Sequence, residues 1–530
     1  MHRSGRLAAG LLLLLAAVPV AAQLAPVGVP AGTLRFDIQG MFQSADRRLF
    51  QGMTQDYLGD FGSPNFGASQ VPYLLTADSL LGAILGQPGY HLNLGAQQAQ
   101  GELTVGTGTI SLALGVTRRL TLFADFPYVA TRVQANFKLD SARADAGLNP
   151  AHPTFGDASD QALAASFFTN FANAMSILQN QIMGGTYAGN PSLDSLARAT
   201  YTRGSTLEQQ LMTLTNDPSA ASPFLPTTAS AAGAAIIAKV RGLQDTLANT
   251  LGVAGSGFNT DPVLASARAT ESQFQDFATS TSGPLQLFPL GEQLISRLGD
   301  MDVGATYTLI DRFDRPGTTG GIRLATTGLL RLPTGLRANP NDPLAVGTGN
   351  GRYELGLSGD LDLGAGRWGT RLSGGYLLRL ASLRVLRVTP LAAPYSVATN
   401  LTNVRFNAGD ILDLEARPFF RLERNLAIHA TVGYTRTGAD NASYYTAADA
   451  IPGVPASVLA NPSSTSISLG GGVSYVGRSA HECEEGHPCG WPIDAAWNYS
   501  TVVSATGGRV LKLKTTSLEI RWYQRIWGGK

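Results

Sequence analysis

From Asp300 to Tyr475 apolar and polar residues alternate with a period of two, and no other feature constrains the fold so tightly. Within Ile411 to Arg424, Leu412, Leu414, Ala416, Phe420 and Leu422 form one row, and Asp413, Glu415, Arg417, Arg421 and Glu423 the other. Side chains of a strand point alternately to opposite faces, so this segment has one oily face and one charged face. The same holds for Leu355, Leu357, Leu361 and Leu363 against Glu354, Ser358, Asp360 and Asp362. Trp368, Leu372, Tyr376 and Leu378 oppose Arg371, Ser373 and Arg379, while Leu426, Ile428, Val432 and Tyr434 oppose His429, Thr431 and Thr435. Ile322, Leu324, Leu330 and Leu332 oppose Arg323, Thr327 and Arg331. Strands of soluble sandwiches average ~5–6 residues, and these segments are about twice that. Alternating segments of about 10 residues parted by turns predict an all-β membrane protein, a transmembrane antiparallel up-and-down β-barrel.

Export is predicted by the first residues. His2, Arg3 and Arg6 precede an apolar run from Leu7 to Val20, and Val20-Ala21-Ala22 offers small residues for cleavage. Residues 1–22 thus read as a signal peptide, with the mature chain starting at Gln23. No other apolar run reaches the ~18 residues of a membrane helix, so the exported chain faces lipid only as a barrel. Charged residues are 15% of the chain and Gly numbers 61, which suits a wall with few charges outside. A net charge of +1 offers no basic excess for phosphates, so no nucleic-acid partner is expected.

Twelve strands are predicted: about 33–43, 101–116, 119–136, 299–310, 319–333, 351–364, 367–381, 408–423, 425–437, 464–477, 494–506 and 509–527. The short turns then fall on the periplasmic side and the long connections outside, except 478–493. A phase slip between Val105 and Ile110 predicts a bulge at Gly106 and Gly108, and Thr515 to Ser517 interrupts the last strand. Residues 23–136 carry the first strands and a long outer loop. Residues 137–298 form an insertion, extracellular or plugging the lumen, and 299–530 hold the remaining strands. The insertion reads as helical over Ala162–Ile182, Leu207–Leu214 and Ala229–Leu251, the first with Phe167, Phe171, Met175 and Leu178 at spacings of three and four.

Several phrases in this order carry a resemblance: "GVTRRLTLFADFPYV" (115–129), "GDMDVGATYTL" (299–309), "LLRLPTG" (329–335) and "VGTGNGRYELGL" (346–357). Over 101–136 and 299–380 the chain resembles the bacterial outer-membrane transporter-like proteins named for the meta-pathway of phenol degradation. The resemblance implies uptake of small aromatic or other hydrophobic compounds and no catalytic residues. The large insertion departs from that pattern.

By parity Arg323, Arg331, Glu354, Asp360, Asp362, Arg371, Arg379, Asp413, Glu415, Arg417, Arg421 and His429 point into the lumen, since against lipid such groups cost several kcal/mol each. They read as a bracing network or as a polar pathway. Phe167, Phe168, Phe171 and Met175 are a candidate apolar plug lining, or the packing face of the insertion's own helices. His481, Cys483, His487 and Cys489 are spaced for a metal site or for a Cys483–Cys489 disulfide. An oxidising compartment favours the disulfide, so no metal and no cofactor is expected. No nucleophile elbow is present and His429 has no nucleophile beside it, which argues against an enzyme such as a lipase. The expected function is passive passage of small hydrophobic or aromatic molecules, with a general porin or a surface-binding, structural barrel as alternatives. The expected partners are outer-membrane lipid and lipopolysaccharide, the barrel-assembly machinery and a small hydrophobic solute.

Overall fold

The computed structural model describes residues 27–50, 52–313, 320–390, 393–423, 425–477 and 492–527. The expected signal peptide and the Cys483–Cys489 pairing lie outside the described residues. Twelve antiparallel strands form one closed sheet: β1 (Thr33–Ala45), β2 (Ala96–Gly115), β3 (Leu120–Asp140), β4 (Met301–Phe313), β5 (Gly320–Leu332), β6 (Glu354–Ala365), β7 (Trp368–Arg379), β8 (Ile411–Arg421), β9 (Leu426–Thr437), β10 (Ser464–Val476), β11 (Ile493–Gly507) and β12 (Lys514–Arg525). Each strand pairs with its sequence neighbours, and β1 closes the ring by pairing β12 from Thr33↔Arg525 to Ser44↔Lys514. Within the ring, closure leaves each strand flanked on both sides, the condition for backbone to cross lipid; the upper end of the β2–β3 hairpin runs on past its neighbours.

The outer surface is that of a membrane barrel. Ile38, Leu355, Leu357, Leu414, Val432, Leu469 and Ile520 are exposed there. Aromatic side chains ring both ends of this band. Trp368, Trp497 and Trp522 stand toward the end with the short turns, and Phe42, Tyr128, Tyr376 and Tyr434 toward the other. Aromatic girdles flanking an apolar belt mark the two lipid–water boundaries. We expect Val432→Arg, within the belt, to cost about 2–4 kcal/mol in denaturant unfolding. Gln98→Arg, on the outward face of β2 beyond the girdle, is expected to cost about 0–1 kcal/mol. Equal costs would contradict this placement of the belt.

The β2–β3 hairpin explains an apparent fault in the alternation. Its strands are 20 and 21 residues long, far beyond the ~9–11 needed to span a bilayer. The expected bulge at Gly106 and Gly108 is absent: pairing runs unbroken through Gly106↔Ala130 and Gly108↔Tyr128. What changes is the chemistry of the faces, not the phase. In the lower half Ile110, Leu112, Leu122 and Phe126 face outward and are exposed. In the upper half Gln98, Gln100, Arg132 and Gln134 face outward, while Leu103, Val105, Val133 and Phe137 are buried inside. The register shifts fall elsewhere, at Leu324/Ala325 and Ile467/Ser468. The final strand likewise has no interruption. It starts at Lys514, and Val510–Leu511 pairs instead with Arg48–Leu49 of a small sheet above β1.

The long connections gather at one end as a cap. Five helices belong to it: α1 (Leu75–Leu85), α2 (Ala158–Met183), α3 (Pro191–Thr215), α4 (Ala231–Asp245) and α5 (Glu271–Thr279). α4 runs on as one π-helical turn, Thr246–Thr250. Local chemistry starts each of the inserted four. Asp157 caps α2 by accepting from Ser159 and Asp160, Asn190 precedes Pro191 of α3, Ser230 caps α4, and Thr270 with Gln273 forms a capping box on α5. The helical insertion is narrower than 137–298, because β3 extends to Asp140 and the strand Gln293–Leu298 pairs back onto Tyr128–Val133. One apolar core joins the helices to the inner face of the upper hairpin at Leu103, Val105, Val133 and Phe137.

Candidate functional site: the lumen and its capped mouth

Within the barrel the inward charges pair across neighbouring strands in two tiers. The tier nearer the short turns runs through register partners Asp311, Arg323, Asp362, Arg371 and Arg417. Arg371 grips Asp362 with both ends of its guanidinium, Nε–Oδ1 at 2.5 Å and Nη2–Oδ2 at 2.8 Å. Arg323 Nη1 lies 3.3 Å from Asp362 and its Nε 3.2 Å from Asp311. Arg417 pairs with Glu415 on its own strand, and Arg521 with Glu519 at 2.7 Å on β12. The tier nearer the cap holds Asp302, Arg331, Glu354 and Arg379. Arg331 binds Asp302 at 2.8 Å through two nitrogens and Glu354 at 3.2 Å. Glu354 is fully buried and also takes Arg352 at 3.1 Å. Asp360 accepts from Ser373 at 2.7 Å, and Asp413 from Thr435 at 2.6 Å.

His429 shares its bond with an amide. Its Nε2 is 3.0 Å from Asn498 Oδ1, and Asn498 Nδ2 donates to Ser517 Oγ at 3.2 Å. The amide holds the ring and separates it from the hydroxyl. Gly472 gives the ring its place, because a Cβ there would come within 2.8 Å of the imidazole. Two lumen residues escaped the sequence reading. Phe313 and Phe419 lie in the inward rows of β4 and β8, buried, with the Arg323 and Arg421 guanidiniums 5.2–5.7 Å from their ring centres. Phe419 lies against the wall at Gly369, where a Cβ would sit 2.3 Å from the ring. The signal was an aromatic residue in an otherwise polar parity row.

The capped mouth is apolar. Tyr395, from the β7–β8 connection, is its hub. Its ring meets Phe61, Phe66 and Phe274 at 5.6, 5.6 and 5.0 Å, and its hydroxyl accepts from Gln97 of β2 at 2.6 Å. Burial raises the Tyr395 hydroxyl well above its ordinary pKa, so it stays neutral. Phe167, Phe168, Phe171 and Met175 are all buried inside the cap, where Phe171 stacks on Phe258 at 4.2 Å. They hold α2 to its neighbours. Asn149 of the Asn149-Pro150-Ala151 turn is likewise used internally, donating to the Thr215 and Ser222 carbonyls at 2.9 and 2.8 Å.

His152 sets a pH limit on the cap. Its Nδ1 accepts from the Thr154 amide at 3.0 Å, and burial pushes its pKa down to about 4. Folding therefore favours the neutral ring. Between 6.5, the ordinary histidine value, and about 4 the unfolded state binds more protons, so this stability is complete above that window and is lost as pH falls through it. Protection factors of the amides over 152–156, which divide out the slower intrinsic exchange at acid pH, are expected to fall on going from pH 7 to pH 4.5. His152→Asn, which keeps an acceptor at that place, is expected to remove this dependence; its persistence would assign it elsewhere.

Where the outer connections converge, a cavity of about 220 Å³ is lined by Phe61, Leu287, Asn339, Leu386, Phe406 and Leu459, with Arg337, Arg384 and Arg387 beside them. Arg387 is saturated by neutral acceptors: the Leu285, Gln286 and Ser396 carbonyls at 2.6, 3.0 and 3.0 Å, and Asn341 Oδ1 at 2.9 and 3.1 Å. It ties the end of the insertion to two other loops. Arg384 bonds Ser382 Oγ at 3.1 Å and the Asn350 carbonyl. Burial, then the charges of Arg352 and Arg337, lowers its pKa to about 10. Below, Arg379 and Arg352 are 1% and 3% exposed, and Arg379 Nε and Nη1 and Arg352 Nη1 bond nothing. A buried donor without an acceptor costs about 1–3 kcal/mol, more when charged, so three such nitrogens in one place favour an added acceptor.

No protein-family model matches the chain, and no curated protein matches it. Among solved structures it is similar to an outer membrane channel from Pseudomonas putida F1, with TM-score 0.41 and 10% identity over 95% of this chain and 100% of that one. It is also similar to the Pseudomonas putida toluene transporter TodX, with TM-score 0.25 and 11% identity over 94% of this chain and 90% of that one. The translocator domain of the autotransporter NalP from Neisseria meningitidis gives TM-score 0.26 and 8% identity over 92% and 88% of the two chains. Likenesses this distant leave function to be read from the chain's own geometry.

Proposed function

We propose that the protein is a channel of the bacterial outer membrane that passes small hydrophobic or aromatic molecules without coupled energy. One observation carries this reading: apolar packing runs without a break from the cap onto the inner wall of the barrel, at Leu103, Val105, Val133 and Phe137. A general porin meets its solutes with a hydrated mouth, and here the mouth is an oily core that admits solutes with little to lose on leaving water. Below it the lumen is narrow and polar. A barrel of about 8 strands encloses only side chains and one of about 16–18 leaves an aqueous channel, so twelve leave a path of small bore between ion-paired walls.

The test is made on purified protein in planar bilayers and in liposomes. The expected result is a small ion conductance together with saturable entry of toluene. A large steady conductance would identify a porin instead. Absence of both would favour a barrel that only binds at its surface.

A further inference from the structure

We infer that the cavity at the capped mouth is a binding site for an apolar monocarboxylate, its carboxylate on Arg384 above Arg352 and Arg379, and its hydrocarbon body among Phe61, Leu287, Leu386, Phe406 and Leu459. The inference rests on the channel reading only for why such a site stands at a barrel mouth.

Three observations meet at this place. The first is shape and lining. About 220 Å³ is smaller than the ~300–1,000 Å³ of drug-sized sites, so the body is a single ring or a short chain, and the walls named above are apolar. The second is unmet donor capacity. Arg384 lines the cavity, makes no ion pair among the described residues, and leaves Nη1 without a protein acceptor, its bonds being those of Nε and Nη2. Arg379 Nε and Nη1 and Arg352 Nη1 are buried and equally unbonded. The third is electrostatic. Arg352 acts on both Arg379 and Arg384 as a like charge, so the three guanidiniums form one cationic group. Glu354 is the register partner of Arg379, yet its oxygens are taken by Arg331 and Arg352. Asp440, Glu354 and Asp410 act on Arg379 as opposite charges, Asp410 also accepting from the Arg379 backbone amide at 3.0 Å, while Asp440 and Asp300 act on Arg384; none of them pairs with the Arg379 or Arg384 guanidinium.

An incoming carboxylate matches this group. Guanidinium N–H forks recognise carboxylates through paired, charge-assisted bonds, strongest away from water. Asp342, which makes no ion pair among the described residues, also borders the cavity and disfavours a ligand with a second negative charge, which selects a monoanion. Asn350 links the site to the lumen. Its carbonyl accepts from Arg384, and its amide nitrogen lies 3.5 Å from Glu354 Oε1 in the upper tier. A ligand held here therefore rests on the entrance to the polar path.

The experiment is calorimetric titration of the full-length protein in detergent micelles. Benzoate is the probe, benzyl alcohol its neutral counterpart, and inorganic phosphate an anion with no apolar body. Benzoate is expected to bind at least about tenfold more tightly than either. Arg384→Gln is expected to weaken benzoate at least about tenfold, and Leu459→Trp, which fills the chamber and leaves the arginines in place, to weaken it as well. Heat-modifiable gel migration verifies that each variant is a folded barrel. Benzyl alcohol binding as tightly as benzoate, phosphate binding as tightly, no heat with benzoate, or an unaffected Arg384→Gln variant would each overturn the inference. Entry of neutral toluene into liposomes through the wild-type protein is scored separately. Its failure would strike the channel reading, and binding in micelles is decided without it.

Discussion

Replacing residues 150–283 by a short Gly-Ser linker is expected to leave a folded barrel whose ion conductance rises by roughly an order of magnitude, as for removal of an apolar constriction. The excised stretch contains α2 to α5, while the ladders that close the barrel run between β1 and β12 and their neighbours. Leu285 and Gln286 are kept because Arg387 binds their carbonyls. What is lost is the apolar core above the lumen. Phe274 no longer covers Tyr395 and Phe66, and Leu103, Val105 and Val133 become accessible to water. Saturable entry of hydrophobic solutes is expected to disappear together with the barrier to ions. Conductance unchanged in a folded deletion variant would place the barrier in the ion-paired tiers and exclude the cap as gate.

The barrel was legible because its rule is local. Lipid outside and charge inside require an alternation that any strand displays by itself, and each of the twelve predicted segments overlaps one strand of the ring. The same rule misled at Val105. An apolar residue in the polar row suggested a shifted phase, whereas the strand keeps its phase and meets an oily cap instead of a wet lumen. Periodicity reports which face a side chain takes, and it is silent on what covers that face. α1 and α5 were missed for a related reason. They are 11 and 9 residues long, α1 has no side-chain N-cap and α5 only a Thr270–Gln273 capping box, and tertiary packing of Leu81, Ile84, Phe274 and Phe277 stabilises them.

The candidate site was legible in part. Parity assigns Arg379 and Glu354 to the inner row, but not that Glu354 is engaged by Arg331 and Arg352 while two Arg379 nitrogens bond nothing. The cavity is less legible still. Phe61, Leu287, Leu386, Phe406 and Leu459 are drawn from four separate connections between strands, and no local pattern announces that they converge. Phe167 and Phe171 illustrate the converse, since a conspicuous aromatic stripe at helical spacing serves the packing of its own helix.

Arg371→Met is expected to destabilise the barrel by about 3–5 kcal/mol, because one partner of a buried ion pair is removed and the other keeps its charge. Arg371 is 1% exposed and Asp362 4%, and their contact is bidentate. After the substitution Asp362 retains only the longer 3.3 Å contact with Arg323, which Asp311 also engages. The double variant Arg371→Met/Asp362→Leu removes both charges. It is expected to recover most of the loss, since apolar groups of similar volume often replace a buried pair at little cost. Like charges argue in the same direction, as Arg371 stands opposite Arg417 in register and acts electrostatically on it. Denaturant unfolding of the two variants in one detergent measures the difference. A single variant within about 1 kcal/mol of wild type would mean that water already screens the pair, as at exposed sites, and that the lower lumen is wet. A double variant as unstable as the single would show that the tier holds the barrel together through the whole chain from Asp311 to Arg417, and not through this pair.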